Sequence, residues 1–210
     1  MFTMNDFESA LKLETERLCL DFTNTVNWHA SEHPVEELPD YANLVAWALK
    51  IGLLAEPDAQ RLKRQAARRP DEAQAVLQRA HTLREALFRL LIARAHGEAW
   101  DPADLDLINA VMPVALAHSR LAPTPAGFAL RWQAEPDALD RLLWPVVYSA
   151  ADLLTQPDLL ARVGECADDR GCGYLFLDLT KNHSRRWCDM KDCGNRAKAR
   201  RHYARQKDEQ

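Results

Sequence analysis

Residues 166–196 read CADDRGCGYLFLDLTKNHSRRWCDMKDCGNR and hold four of the chain's five cysteines. Their spacing is C-x5-C-x15-C-x4-C, two short turns that each present a pair of thiolates, which is the donor set tetrahedral Zn²⁺ requires. Gly173 and Gly194 follow the second cysteine of each pair, where positive φ would let the backbone turn tightly behind the ligand. Two disulfides, or free core thiols, are the rival readings. Disulfides belong to oxidising compartments, and the N-terminus MFTMNDFESALKLETE has charges every few residues and no apolar h-region. The expectation is therefore a cytoplasmic protein in which Cys166, Cys172, Cys188 and Cys193 hold Zn²⁺. His183, otherwise a turn residue, is the alternative to Cys166 as fourth ligand.

Between the two pairs, Tyr174–Leu179 and Arg185–Trp187 flank the turn Thr180–Ser184, which predicts a β-hairpin leading from the second ligand to the third. Cys193 then lies near the start of a final helix, and knuckle, hairpin and helix in that order predict a treble-clef-like finger. Four thiolates around one Zn²⁺ leave a net charge of −2. Arg185, Arg186, Lys191 and Arg196 therefore either offset that charge or touch nucleic acid. At 100° per residue, Arg196, Arg200 and Lys207 share one face of the last helix with Tyr203, and Lys198, Arg201 and Arg205 share the opposite one. Basic charge surrounds this helix and no apolar stripe runs along it, so it is solvated or held between phosphate walls. Asn195 and Arg196 match adenine and guanine edges, phosphates explain the same residue types, and Asn195 equally suits a helix cap.

The run RRWCDMKDCGNRAKARRHYARQK, residues 185–207, resembles the signature of the CGNR zinc-finger family, with Phe176-Leu177-Asp178 ahead of it. That family usually joins its finger to an N-terminal ABATE domain, whose opening Leu18-Cys19-Leu20-Asp21-Phe22-Thr23-Asn24-Thr25 resembles. The five residues inside the first pair of cysteines are slightly more than that family uses. The resemblance implies a transcription regulator in which the finger binds double-stranded DNA and the N-terminal domain senses a small molecule or forms a homodimer.

Composition sets the bounds. With 210 residues, 47% apolar and 28% charged, the chain suits one hydrophobic core plus a small appended module. We expect domains at 1–160 and 161–210. No stretch reaches 18 uncharged apolar residues, so no membrane span is expected. The net charge of −4 hides a strong polarity: residues 181–207 hold ten Lys/Arg against Asp189 and Asp192, and residues 1–180 carry −10. Only the basic end suits a polyanion.

Along the body, Lys12–Phe22 reads as a short strand, Asn24 and Thr25 as a turn or cap, and Trp28–Pro34 as a surface loop. His29 and His33 lack a third ligand and are read as ordinary loop residues. Helical spacing then runs from Asp40 as N-cap to Gly52, from Pro57 to Arg69, from Pro70 to His96 with Gly97 ending it, and from Asp101-Pro102 to His118, bent or interrupted at Pro113. Ser119–Ala122 and Phe128–Trp132 flank a turn and predict a hairpin. Asp137–Thr155 predicts a long helix that tolerates Pro145. Arg162–Glu165 reads as a linker too short for free tumbling. The whole is an α+β protein, mainly helical in its N-terminal domain with a small sheet.

An enzyme is not expected, because a zinc saturated by four cysteines has no open position. Asp21, Asn24, Thr25 and Trp28 are the candidate ligand-binding residues of the body, or else caps and turns. A zinc-stabilised protein-interaction module and an RNA-binding protein remain as alternatives to DNA binding, with RNA ranked lower for want of an aromatic stacking surface.

Overall fold

The computed structural model describes residues 18–125, 127–133 and 135–208, and of residues 204, 207 and 208 the backbone only. The body is built around one long helix. Helix α1 spans Leu18–Thr23, α2 Tyr41–Lys50, α3 Glu56–Arg68, α4 Pro70–His96, α5 Pro102–Ala117, α6 Leu143–Leu154 and α7 Pro157–Leu160. In α4, Val76, Leu77, Leu83, Leu87, Leu90 and Leu91 are buried along one face, and α1, α2, α3 and α5 pack around it. Helix α6 closes the far side against α1 and α5, with Trp144 fully buried and its ring stacked on His118 at 4.0 Å. Among the described residues, no helix is long and apolar enough to cross a membrane.

Local chemistry sets most of these boundaries. Asp40 Oδ1 accepts from Asn43 N at 2.8 Å and Asp101 Oδ1 from Ala103 N at 2.9 Å, so each satisfies an amide that the first helical turn leaves unpaired. Gly97, at φ 71°, ends α4 in the left-handed region. The predicted helix over 137–155 is instead a 3₁₀ turn, Leu139–Leu142, followed by α6. Pro145 thereby falls in the first turn of α6, where its missing N–H would have had no partner.

Among the described residues, three two-stranded antiparallel ribbons accompany the helices. β1 (Val26–Asn27) pairs with β2 (Val35–Glu36) and closes the 28–34 loop at its base. β3 (Ser119–Thr124) pairs with β4 (Gly127–Trp132), the hairpin expected from sequence. β5 (Val163–Glu165) pairs with β6 (Leu175–Leu177).

Two expectations are corrected. Residues 18–23 are helix α1 and not part of a strand, while residues 12–17 lie outside the described residues. Cys19, Leu20, Phe22 and Thr23 are all buried, so six residues packed on several sides offer no legible period. The second correction concerns the finger. The segment 185–187 forms no strand; β6 pairs instead with β5, the supposed linker, so the hairpin encloses the first pair of cysteines and does not bridge the two pairs.

Candidate metal centre

The β5–β6 ribbon delivers Cys166 just beyond one strand and Cys172 just before the other. Cys188 follows an irregular stretch, and Cys193 sits in a π-helical turn, Met190–Gly194, that opens directly into helix α8, Asn195–Asp208. The four sulfur atoms lie within 4.8 Å of one another. Cys172–Cys188 and Cys172–Cys193 Sγ separations are 3.8 Å, and Cys188–Cys193 is 3.5 Å. A regular ZnS₄ tetrahedron with Zn–S near 2.3 Å has edges of about 3.8 Å, so the cluster has the size of the ion's own coordination shell. The fourth donor is Cys166 and not His183, which is exposed in the 180–184 turn.

The amides of Asp168 and Cys188 donate to Cys166 Sγ, and the amide of Tyr174 donates to Cys172 Sγ. Four thiols this close cannot all ionise alone. Hydrogen bonds from Cys172 and Cys188 hold the Cys166 thiol down at about 2; its hydrogen bond with Cys166 pushes Cys172 up to about 12, and Cys188 is driven above its ordinary range by the same neighbour. A divalent cation at the centre offsets the charge of all four sulfurs together. The donor set fits zinc, and the finger is a zinc site.

The arginines expected on nucleic acid divide into two sets. Arg185 is turned inward: Nη2 donates to Cys188 O at 2.5 Å and its guanidinium lies 4.4 Å from the Phe176 ring. Arg196 Nη2 donates to Cys193 Sγ at 3.2 Å and to Asp192 at 2.6 Å. Arg200 binds Asp169 and, at 3.2 Å, the fully buried carboxylate of Asp168. Burial would raise the pKa of Asp168, but the hydrogen bonds and charge of Arg170, with the charge of Arg200, hold it at about 2. These three cations are therefore structural. Asn195 Nδ2 donates to Lys191 O at 3.0 Å, which ties the π turn to the helix. Lys198, Arg201, Arg205 and Arg186 are exposed and have no acidic partner among the described residues. Arg186 and Arg201 lie 5.2 and 5.9 Å from the Trp187 ring. The side chain of Lys207 lies outside the described residues.

The two glycines behave differently. Gly173 has φ 67°, and a Cβ there would lie 2.6 Å from Ala30 N; Gly194 is not in the left-handed region, and its Cβ would come too close only to the flexible Met190 side chain, with Asp189 O at an ordinary 3.6 Å. Gly173→Ala is expected to cost about 2 kcal/mol, and Gly194→Ala less than about 1 kcal/mol because Met190 can swing aside. Thermal unfolding of the two zinc-loaded variants side by side checks this; equal midpoints would refute the distinction.

Of the four body residues expected to bind a ligand, Asn24, Thr25 and Trp28 have work within the chain. Asn24 Nδ2 donates to Leu175 O and its Oδ1 accepts from Leu175 N, both at 2.9 Å, so its amide mimics a neighbouring strand on the free edge of β6. Thr25 Oγ1 donates to Phe22 O and accepts from Arg84. Trp28 lies 4.9 Å from the Arg170 guanidinium and 5.1 Å from that of Arg196. Asp21 is half-buried on α1. Sequence reasoning missed Asp168 and Arg170; the signal was the Asp-Asp-Arg run inside the first knuckle. Asp178 figured only as part of the family signature, with no role; its buried carboxylate accepts from the amides of Thr180 and Arg185 and so shapes the approach to Cys188.

A helical body bearing a four-cysteine zinc finger, with the last ligand opening a basic helix, defines a zinc-finger protein of two modules. Residues 16–157 match the ABATE model, described as "Putative stress-induced transcription regulator", and residues 162–206 match the CGNR zinc finger. The chain belongs to the ABATE family and carries a CGNR finger at its C-terminal end. No curated protein matches the chain.

Proposed function

We propose that the chain is a DNA-binding transcription regulator that approaches the duplex with the outward face of α8. The observation that carries this reading is the division of the basic helix. Arg196 and Arg200 are spent on Asp168, Asp169 and Asp192, whereas Lys198, Arg201 and Arg205 project on the other side with Arg186 beside them. Cations left unpaired on one face, on a chain whose body is acidic, are the footprint of phosphate binding. Asn195 and Arg196 are removed from base reading by their own hydrogen bonds.

The body is the regulatory half, sensing a small effector or forming a homodimer; the family description supports a regulator role and nothing finer. Zinc saturated by cysteine leaves no site for substrate or water, which favours a binding protein over an enzyme. Four reduced thiols suit a cytoplasmic location.

The test is binding of the zinc-loaded chain to random duplex DNA across a salt series. Four phosphate contacts predict a slope of log K against log salt of about −3 to −4, flattened by roughly 3 in Lys198→Ala/Arg201→Ala/Arg205→Ala. No affinity at low salt, or a slope that the triple variant leaves unchanged, overturns the reading.

A further inference from the structure

The zinc centre does not end at the boundary of the finger. The turn Trp28–Ser31, which belongs to the body, meets the first knuckle through three consecutive residues. Trp28 has φ 57°, a conformation that a bulky side chain adopts only when its surroundings hold it there. Its ring lies against Arg170 and Arg196, both of which reach Asp168, and Arg196 also donates to the ligand sulfur of Cys193. His29 N donates to the carbonyl of the ligand residue Cys172 at 3.2 Å. Ala30 sits so close to the knuckle that a Cβ on Gly171 or Gly173 would lie 2.6 Å from its backbone. The knuckle is shaped to receive this turn.

The same turn is anchored in the body. The His29 ring stacks on Phe88 at 3.7 Å, and its Nε2 bonds Glu85 at 2.9 Å. Glu85 bonds Arg84, which reaches β2 through Glu36. One side of the turn is therefore packed on residues that exist in this arrangement only while the four cysteines are gathered, and the other side on the middle of α4.

We propose that the Trp28–Ser31 turn is a working part of the zinc centre and couples metal occupancy of the finger to the order of the body's 24–31 segment and the middle of α4. The coupling is reciprocal: loss of zinc loosens the turn, and loss of the turn weakens the hold on zinc. The inference rests on the zinc reading and is independent of nucleic acid.

Hydrogen exchange on the full-length protein tests it, before and after removal of zinc with a chelator, together with zinc retention against a chromophoric chelator. On chelation, exchange of the 24–31 amides should rise at least about tenfold and that of residues 81–90 measurably, while α3, which packs at the other end of α4, stays unchanged. Trp28→Ala should weaken zinc retention by about tenfold, Trp28→Phe by less than about threefold, and Trp100→Ala, an exposed tryptophan outside the turn, not at all. Unchanged exchange at 24–31, or zinc retention in Trp28→Ala equal to the parent's, overturns the coupling. A purified chain that carries no zinc overturns the metal reading and this one with it. The exchange arm uses the parent chain, so misfolding of a variant does not remove the test.

Discussion

Replacing Cys193 by alanine should empty the metal site and disorder residues 162–208, while helices α2 to α6 persist. Cys193 is the buried ligand at the join between the π turn and α8, so its sulfur fixes the start of that helix as well as one vertex of the tetrahedron. The finger has little core of its own: of its buried apolar side chains Val163, Leu175, Phe176 and Leu177, all but Phe176 belong to the core of the body. Structural zinc contributes about 10–16 kcal/mol in finger-sized peptides, which is folding energy that a three-ligand site cannot match. Elemental analysis should fall from one zinc per chain to less than about a tenth after dialysis against a chelator. Circular dichroism should show loss of α8 only. A variant that keeps its zinc and its midpoint would contradict the account given of the site.

Arg84→Met should lower body stability by about 3 kcal/mol. The Arg84 side chain is 3% exposed and forks onto both oxygens of Glu36 at 2.7 and 2.6 Å, with further bonds to Glu85 at 3.0 Å and Thr25 at 3.2 Å. Its removal takes the guanidinium away from two carboxylates, leaving Glu85 to His29 and Glu36 to the Leu38 amide. Breaking a buried pair typically costs about 3–5 kcal/mol; the lower end applies because both glutamates are about one-third exposed and can recover some water. At 2–4 °C per kcal/mol, the thermal midpoint should fall by roughly 6–12 °C.

The pH dependence gives an independent check. Burial tends to raise Glu85, but His29 first and then Arg84 outweigh it and hold its carboxyl at about 2; Glu36 is lowered against the same burial, chiefly by Arg84. A depressed carboxylate stabilises the fold above its unfolded pKa, and that contribution is lost as pH falls through the folded one. The gap between parent and Arg84→Met should be full at pH 7 and shrink between about 4.5 and about 2. A gap independent of pH would mean that lost packing, not charge, accounts for the difference.

What could be read from the chain follows the range of the interaction. The caps at Asp40 and Asp101 and the stop at Gly97 act within four residues of themselves, so their chemistry is visible in the string. The cysteines were equally legible, because a tetrahedral ion imposes its spacing from outside the fold. The β5–β6 ribbon was not. Its strands are three residues each, too short for an alternating pattern, and their pairing depends on a knuckle that only metal geometry closes. The division of α8 into an inward and an outward face was also hidden. A helical wheel gives relative angles, but which face meets Asp168 is decided by where the ribbon places that carboxylate. Trp28 was picked out for its residue type, yet its partners Arg170 and Arg196 lie far along the chain in the finger, where no local pattern points back to it.

The β3–β4 ribbon has a practical consequence. Near its base Trp132 meets Tyr148 edge-on at 5.8 Å, but towards the tip the same face carries Leu121 and Phe128, which are 75% and 80% exposed. The ribbon overhangs the helix it leans on, with sticky side chains and open strand edges at its far end. Concentration, more than heat, should then decide how long a purified sample stays clear, through side chains that take no part in holding the metal.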